Sequence, residues 1–340
     1  MRWLFIVLIS INHPIIISAF ADDAHATHYQ GFREYQCMDS ARDRAIRISS
    51  WYPTYEQPTP VAYGPFQGHA RTGAAIAPGK HSVILISHGT GGQRFNQFYL
   101  AEELAAHGYI VLAVQHPKNC AGDDGDANLL RNLWNRPKDV SFALDQALKE
   151  PGLAAHIDPA KVGVIGHSIG GYTALVLAGA KPDVGKVAEF CSSIRGAFAG
   201  EFCSPKAAEL SAWQQGRFLD FSHLQDSRIR AAFIMAPGVP ILFNKSAMTS
   251  ISVPVFVVFS GRDEILHGRE QAYREYLSPT TTFVELPEAG HYVYLMECPE
   301  EVKRTSREAC SDIGTPRSEV HPMLRKEVIS FFNKVLGPPN

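Results

Sequence analysis

Charge is scarce in this chain. Asp, Glu, Lys and Arg together make up 19% of 340 residues and nearly cancel, leaving a formal net charge of −2. No block of Lys or Arg stands out, so a polyanionic partner such as nucleic acid or an anionic membrane surface is not indicated. Low-complexity runs are also missing, and with apolar residues at 45% the composition is that of a folded core rather than a disordered chain. The six cysteines include no C-x-x-C pair, which argues against a zinc cage or a thioredoxin-like site. No metal or cofactor is implied. The length suits one large domain or two small ones, and neither an internal repeat nor a linker divides the sequence.

The start of the chain reads as an export signal. Arg2 supplies the positive end, Trp3 to Ile11 and Ile15 to Ile17 the apolar stretch, and Ala19-Phe20-Ala21 an A-x-A cleavage site. Asn12-His13-Pro14 interrupts the apolar stretch, which is then too short to span a bilayer comfortably. Cleavage after Ala21 is expected, with no membrane span in the mature chain of residues 22–340 and a location in the periplasm or outside the cell. An even number of cysteines suits such a chain if they are oxidised. Proximity in sequence pairs Cys191 with Cys203 and Cys298 with Cys310, leaving Cys37 and Cys120 as a third bridge. Scattered buried thiols are the bland alternative.

Further along, continuous apolar runs alternate with helical spacing. "AIRISSWY" (45–52) reads as a strand, followed to about Lys80 by Pro- and Gly-rich loops and a short edge strand. "SVILISHGTGG", "YIVLAVQHP" and "KVGVIGH" read as buried parallel strands, with helices over 95–107 and 139–149 between them. Strands resume at 229–236, 253–259 and 281–286, with a helix near 269–277. The last helix is expected from His321 to Leu336, with Pro322 in its first turn and Gly337 as its stop. The pattern predicts an α/β domain with a mostly parallel sheet covered by helices on both faces. Residues 183–228 break it and are expected to form an inserted lid, with Trp213 and Phe218 among the apolar residues that would line a pocket.

One stretch carries the chemistry. Gly166-His167-Ser168-Ile169-Gly170 lies between a buried strand and an apolar helix, as a nucleophile elbow does. A serine hydroxyl needs a base oriented by a carboxylate, and at the top of such a sheet these follow the serine in the order acid, then histidine. Asp263 in "FSGRDEIL" and His291 in "LPEAGHYVY" each follow a strand and fit that order, with Glu264 and His321 as the nearest rivals. The oxyanion of the transition state requires two backbone N–H groups. Ile169, next to the serine, and Thr90 in "HGTGG" are the candidates, and His167 is a candidate for the substrate pocket.

These residues resemble a family. "ISHGTGGQRFNQFYLAEELAAHGYIVLAVQHP", "RPKDVSFALD" and "GHSIGGYTAL" are similar to exported bacterial hydrolases known as predicted dienelactone hydrolases, and to the related plasma-type platelet-activating-factor acetylhydrolases. The similarity extends to "ARDRAIRISSWYPT" and "GHYVYLMECPE", and thus over most of the mature chain. Two departures matter. True dienelactone hydrolases use a cysteine where Ser168 stands, and the position of the acetylhydrolase acid reads "FIMAPG", which has no carboxylate. The resemblance implies an α/β-hydrolase fold and hydrolysis of a small-molecule or lipid ester with a small or medium acyl group. Thioester, amide or polyester hydrolysis with the same triad is an alternative. An exported binding protein with vestigial chemistry is a reading of another class.

Overall fold

A computed structural model describes residues 27–123, 129–186 and 220–338. Its centre is a ten-stranded sheet in the order β10-β9-β8-β7-β5-β6-β2-β1-β4-β3. The central strands β5 (His81–Ser87), β6 (Ile110–Gln115), β7 (Ile157–His167), β8 (Ile229–Met235), β9 (Val255–Ser260) and β10 (Thr282–Leu286) all run parallel to their neighbours in this group. Every residue of β5 is buried, because helices cover both faces and leave no solvent side for polar residues. Alternate side chains serve opposite layers: Val83 and Leu85 join the core beneath α2 (Leu129–Ala147) and α3 (Ile169–Leu177). Ile84 and Ile86 join the core beneath α1 (Phe98–Ala106) and α4 (Arg317–Leu336).

The other side of the sheet departs from the sequence reading. Strands are present over the expected 45–52, as β2 (Arg44–Thr54), and at the sheet edge within the expected loop-rich stretch, as β3 (Thr59–Tyr63), but β4 (Phe66–Thr72) joins β3, and β1 (Tyr29–Asp39) precedes them all. β2 pairs antiparallel with both β1 and β6. Charge locks this hairpin to the helical layer. Arg42 and Arg44, beside the β1–β2 turn, both bind the buried carboxylate of Asp139 on α2, each at 2.8 Å.

Two helices begin earlier than expected. α2 starts at Leu129 rather than Asp139 and carries Pro137 inside it. Proline has no N–H for the carbonyl four residues back, and that carbonyl, Leu133, instead accepts a hydrogen bond from the Tyr172 hydroxyl on α3. α4 starts at Arg317 rather than His321. Its first side chain is anchored by Asp312 at 2.7 Å and by the Met296 carbonyl at 2.8 Å.

The cysteines divide. Cys298 and Cys310 form a disulfide, whereas Cys37 and Cys120 are not joined to each other. Cys37 lies on β1 and Cys120 beyond the end of β6, with β2 between those strands. β1 and β6 are therefore two strand spacings apart, about 9–10 Å, more than a disulfide can bridge. Cys191, Cys203, Trp213 and Phe218 lie outside the described residues, as does most of the expected lid. Among the described residues no helix is long and apolar enough to cross a membrane.

The layers enclose neutral histidines. Burial pushes His116 and His167 down to about 3 and His321 to about 4. Burial, with Arg136 nearby, holds His88 well below the ordinary value of 6.5. The unfolded chain therefore takes up protons below pH 6.5 that the folded chain refuses, so stability is full above that pH and falls as the pH drops toward the folded values. With four such groups, the free energy of unfolding should decline by up to about 5 kcal/mol per pH unit around pH 5. Urea unfolding at pH 7 and at pH 5 checks this. Equal free energies at the two values would contradict the neutral assignment.

Candidate active site

Ser168 sits where β7 turns into α3, with φ 56° and ψ −124°. Few non-glycine residues adopt such a backbone, and it persists only where the surroundings enforce it. The enforcement is steric. A Cβ on Gly166 would run into the carbonyl of Gly170, and one on Gly170 into the carbonyl of Ser87. Both obstacles are backbone and cannot swing aside, so the two outer glycines of the motif allow strand, helix and the neighbouring strand to approach this closely. The turn is then fastened. Ser168 N–H donates to the Met235 carbonyl at 3.0 Å, and the Ser168 carbonyl accepts from Gly171 and Gly238, each at 2.8 Å.

Asp263 and His291 follow β9 and β10 in the same way. His291 Nδ1 lies 2.7 Å from Asp263 Oδ2, and the other carboxylate oxygen accepts from the amides of Ile265 at 2.9 Å and Leu266 at 2.7 Å. Burial works to raise the Asp263 pKa, but the His291 hydrogen bond and charge and these two amides outweigh it, holding the carboxyl below its usual range. The rivals are engaged elsewhere. Glu264 accepts from the backbone N–H of His291 at 2.8 Å, while His321 stacks on Tyr99 with ring centroids 3.8 Å apart and donates toward the Val293 and Leu295 carbonyls.

Ser168 and His291 open on one cleft of about 130 Å³, together with Thr90, His167 and the glycines of the loop after β5. Among the described residues no hydrogen bond joins Ser168 Oγ to the imidazole; such contacts commonly close only around a substrate. The walls are Phe66, Ile265, Tyr292, Leu295, Met296 and Val302, and the Cys298–Cys310 bridge forms part of them. No Asp, Glu, Lys or Arg lines this cleft among the described residues. His167, which also lines the cleft, donates from Nε2 to the His291 carbonyl at 3.0 Å.

Sequence reasoning missed His167 as a clamp on His291, because a backbone contact between residues 124 positions apart leaves no local pattern. It also missed Gly238. A Cβ there would stand 3.0 Å from the Ile169 nitrogen, so the glycine leaves room around the amide expected to meet the oxyanion. Among the described residues no group of three or more His, Cys, Asp or Glu side chains is placed to hold a metal ion.

A model of the alpha/beta hydrolase family matches residues 83–305. The chain is 32% identical over 106 residues to cutinase est2 of Thermobifida alba, a stretch covering 31% of this chain and 32% of that protein. A cutinase of Thermobifida fusca strain YX is 29% identical over 106 residues, covering 31% of this chain and 30% of its own length. The chain thus spans about a third of the length of the curated relatives it matches. Among solved structures, a ferulic acid esterase from Streptomyces cinnamoneus superposes with a TM-score of 0.64 over 94% of both chains at 20% identity, a likeness of fold.

The bridge in the cleft wall gives a test of this geometry. Replacing Cys298 and Cys310 together by Ser should cost about 3 kcal/mol of unfolding free energy, the chain-entropy value for a loop of this size. Because the bridge lines the cleft, the same variant should bind its substrate less tightly. Unfolding curves and KM measured on one preparation check both, and an unchanged KM would remove the bridge from the pocket wall.

Proposed function

The chain belongs to the alpha/beta hydrolase family, and from that premise we propose that it is a serine carboxylester hydrolase working through an acyl-enzyme. The observation that carries the reading is the cleft shared by Ser168, on its strained turn, and His291, whose Nδ1 is held by a buried, ionised Asp263. In the proposed reaction Ser168 Oγ attacks the ester carbonyl and His291 Nε2 takes its proton. The carbonyl oxygen becomes an oxyanion facing the amides of Ile169 and Thr90, while Asp263 stabilises the imidazolium. Collapse of the intermediate breaks the ester C–O bond, and the departing alcohol takes the proton from His291. Water then attacks the acyl-serine with His291 again as base, releasing the acid and restoring the hydroxyl.

The substrate class follows from the walls. A small cleft with apolar sides and no charged lining among the described residues suits a neutral ester with a small or medium acyl group, since an ionic group would lose its hydration without gaining a partner. The motifs shared with exported dienelactone-hydrolase-like enzymes and platelet-activating-factor acetylhydrolases support a finer kinship and would extend the substrates to short-chain phospholipid esters. Similarity to cutinases over 106 residues favours a second reading, in which one ester unit of a polyester enters the cleft. Export is part of the proposal, supported by the Cys298–Cys310 bridge, which persists in oxidising compartments.

The purified protein should hydrolyse a short-chain p-nitrophenyl ester. Ser168→Ala should lower the rate by about 10⁴- to 10⁶-fold and Asp263→Asn by about 10⁴-fold. Hydrolysis that survives Ser168→Ala would sink the mechanism. A panel of acyl lengths, an acetylated phospholipid and a polyester film then separates the substrate readings by relative kcat/KM.

A further inference from the structure

Arg136, on α2, has no exposure to solvent, and the mechanism above gives it no task. Burying a guanidinium is costly unless it is paired. Arg136 nevertheless spends its hydrogen bonds on neutral acceptors: Asn119 Oδ1 at 2.6 Å, Thr173 Oγ1 at 3.4 Å, Ser87 Oγ at 3.5 Å, and the carbonyl of His88. The nearby carboxylate of Asp139 is already engaged by Arg42, Arg44 and His116. An apolar side chain would fill this space at lower cost, so the charge calls for another reason.

The His88 carbonyl supplies one. In a trans peptide the C=O and the following N–H point in opposite directions, so whatever grips a carbonyl also aims the next amide. Arg136 grips the His88 carbonyl, which turns the Gly89 N–H the other way. Ser168 lies close to Gly89: a Cβ built there would be 3.3 Å from the serine Cβ. The next peptide is held by the same logic. The Gly89 carbonyl accepts from His88 Nδ1 at 2.6 Å and from Gly92 N–H at 3.2 Å, which aims the Thr90 amide away from those two donors. Among the described residues neither the Gly89 nor the Thr90 amide has a hydrogen-bond acceptor. The grip itself is braced. Ser87 Oγ meets His116 Nε2 at 2.9 Å, His116 Nδ1 meets Asp139 at 3.0 Å, and the His116 amide donates to His88 Nε2 at 3.3 Å.

We propose that Arg136 is a positioning residue for the oxyanion hole, holding the His88 peptide so that the amides of the loop after β5 face the developing oxyanion. The proposal rests on the esterase reading of the site. Its guanidinium also touches Thr173 on the nucleophile helix and Asn119 beyond β6, so one planar group ties the loop after β5 to the helix whose first amide completes the hole, and braces both against the segment beyond β6. Lysine offers a single point of contact and cannot reproduce that fork.

The test uses the full chain, a short-chain p-nitrophenyl ester, and a phosphonate titration that counts reactive serines, so that kcat refers to intact sites. Arg136→Met should lower kcat per site by about 10- to 100-fold, the range for a misplaced oxyanion donor, with KM nearly unchanged. A boronic acid that mimics the tetrahedral state should lose affinity by a similar factor. Millimolar guanidinium, but not ammonium, should partly restore Arg136→Ala. Should the Met variant fail to fold, Arg136→Lys serves in its place and should show the same loss. Wild-type kcat per site in the Met or Lys variant, with only a lowered melting temperature and fewer titratable serines, would overturn the proposal. A wild-type protein that hydrolyses no ester refutes the esterase reading as well, whereas an active wild type with an unimpaired Arg136 variant refutes only the positioning role.

Discussion

β7 can turn into α3 only because positions 166 and 170 carry no side chain where three backbones meet. That contact fixes the backbone of Ser168, and the geometry of the cleft is measured from it. The Ser168 carbonyl faces Gly171 and Gly238, so its neighbour's amide faces away from them. β8 is tied to the turn through the Met235 carbonyl, and the loop after β5 lies against it through Gly89 and Gly170. In the proposed mechanism a hydroxyl on a softer turn would wander relative to the donors that face the oxyanion, and such displacement is costly in rate.

The surrounding polar groups divide into two sets that meet at the serine. On one side, Asp263 fixes the imidazole of His291, while Glu264 and His167 hold the amide and carbonyl of the same residue. On the other, Asp139, His116, Ser87 and Arg136 stand behind the loop of glycines. Apart from the half-buried Glu264, both sets are buried, and each spans several strands or helices. Low dielectric strengthens such networks and also makes any unpaired member expensive, which favours a single arrangement over a mobile one.

Much of this was legible in the sequence for a physical reason. Parallel strands covered on both faces must be apolar throughout, so β5, β6, β7 and β9 stand out as runs, and the residues that follow them mark the sheet edge where Ser168, Asp263 and His291 gather. β1 has no such signature. Its sequence, YQGFREYQCMD, is mostly half-buried or exposed and reads as loop without its partner β2. The early start of α2 was hidden by Pro137, since the Tyr172 hydroxyl that receives the stranded carbonyl belongs to another helix. Pairing Cys37 with Cys120 by elimination ignored the strand lying between them. Arg136 left no trace either, because nothing in "RPKDVSFALD" distinguishes an arginine turned inward from one in water.

The order of the strands has a consequence for how the molecule comes to life. A chain that has emerged only through α3 already holds the loop after β5, the elbow and the serine, yet it lacks His291, the proposed base. His291 follows β10, an edge strand that can dock only on β9, and its loop must meet segments about two hundred residues earlier in the sequence, at Asn96 and Tyr99. Closing contacts across such distances is slow and entropically demanding. In the proposed mechanism hydrolytic competence therefore waits for contacts that close late and across most of the chain, and an incompletely folded chain would carry its serine unarmed.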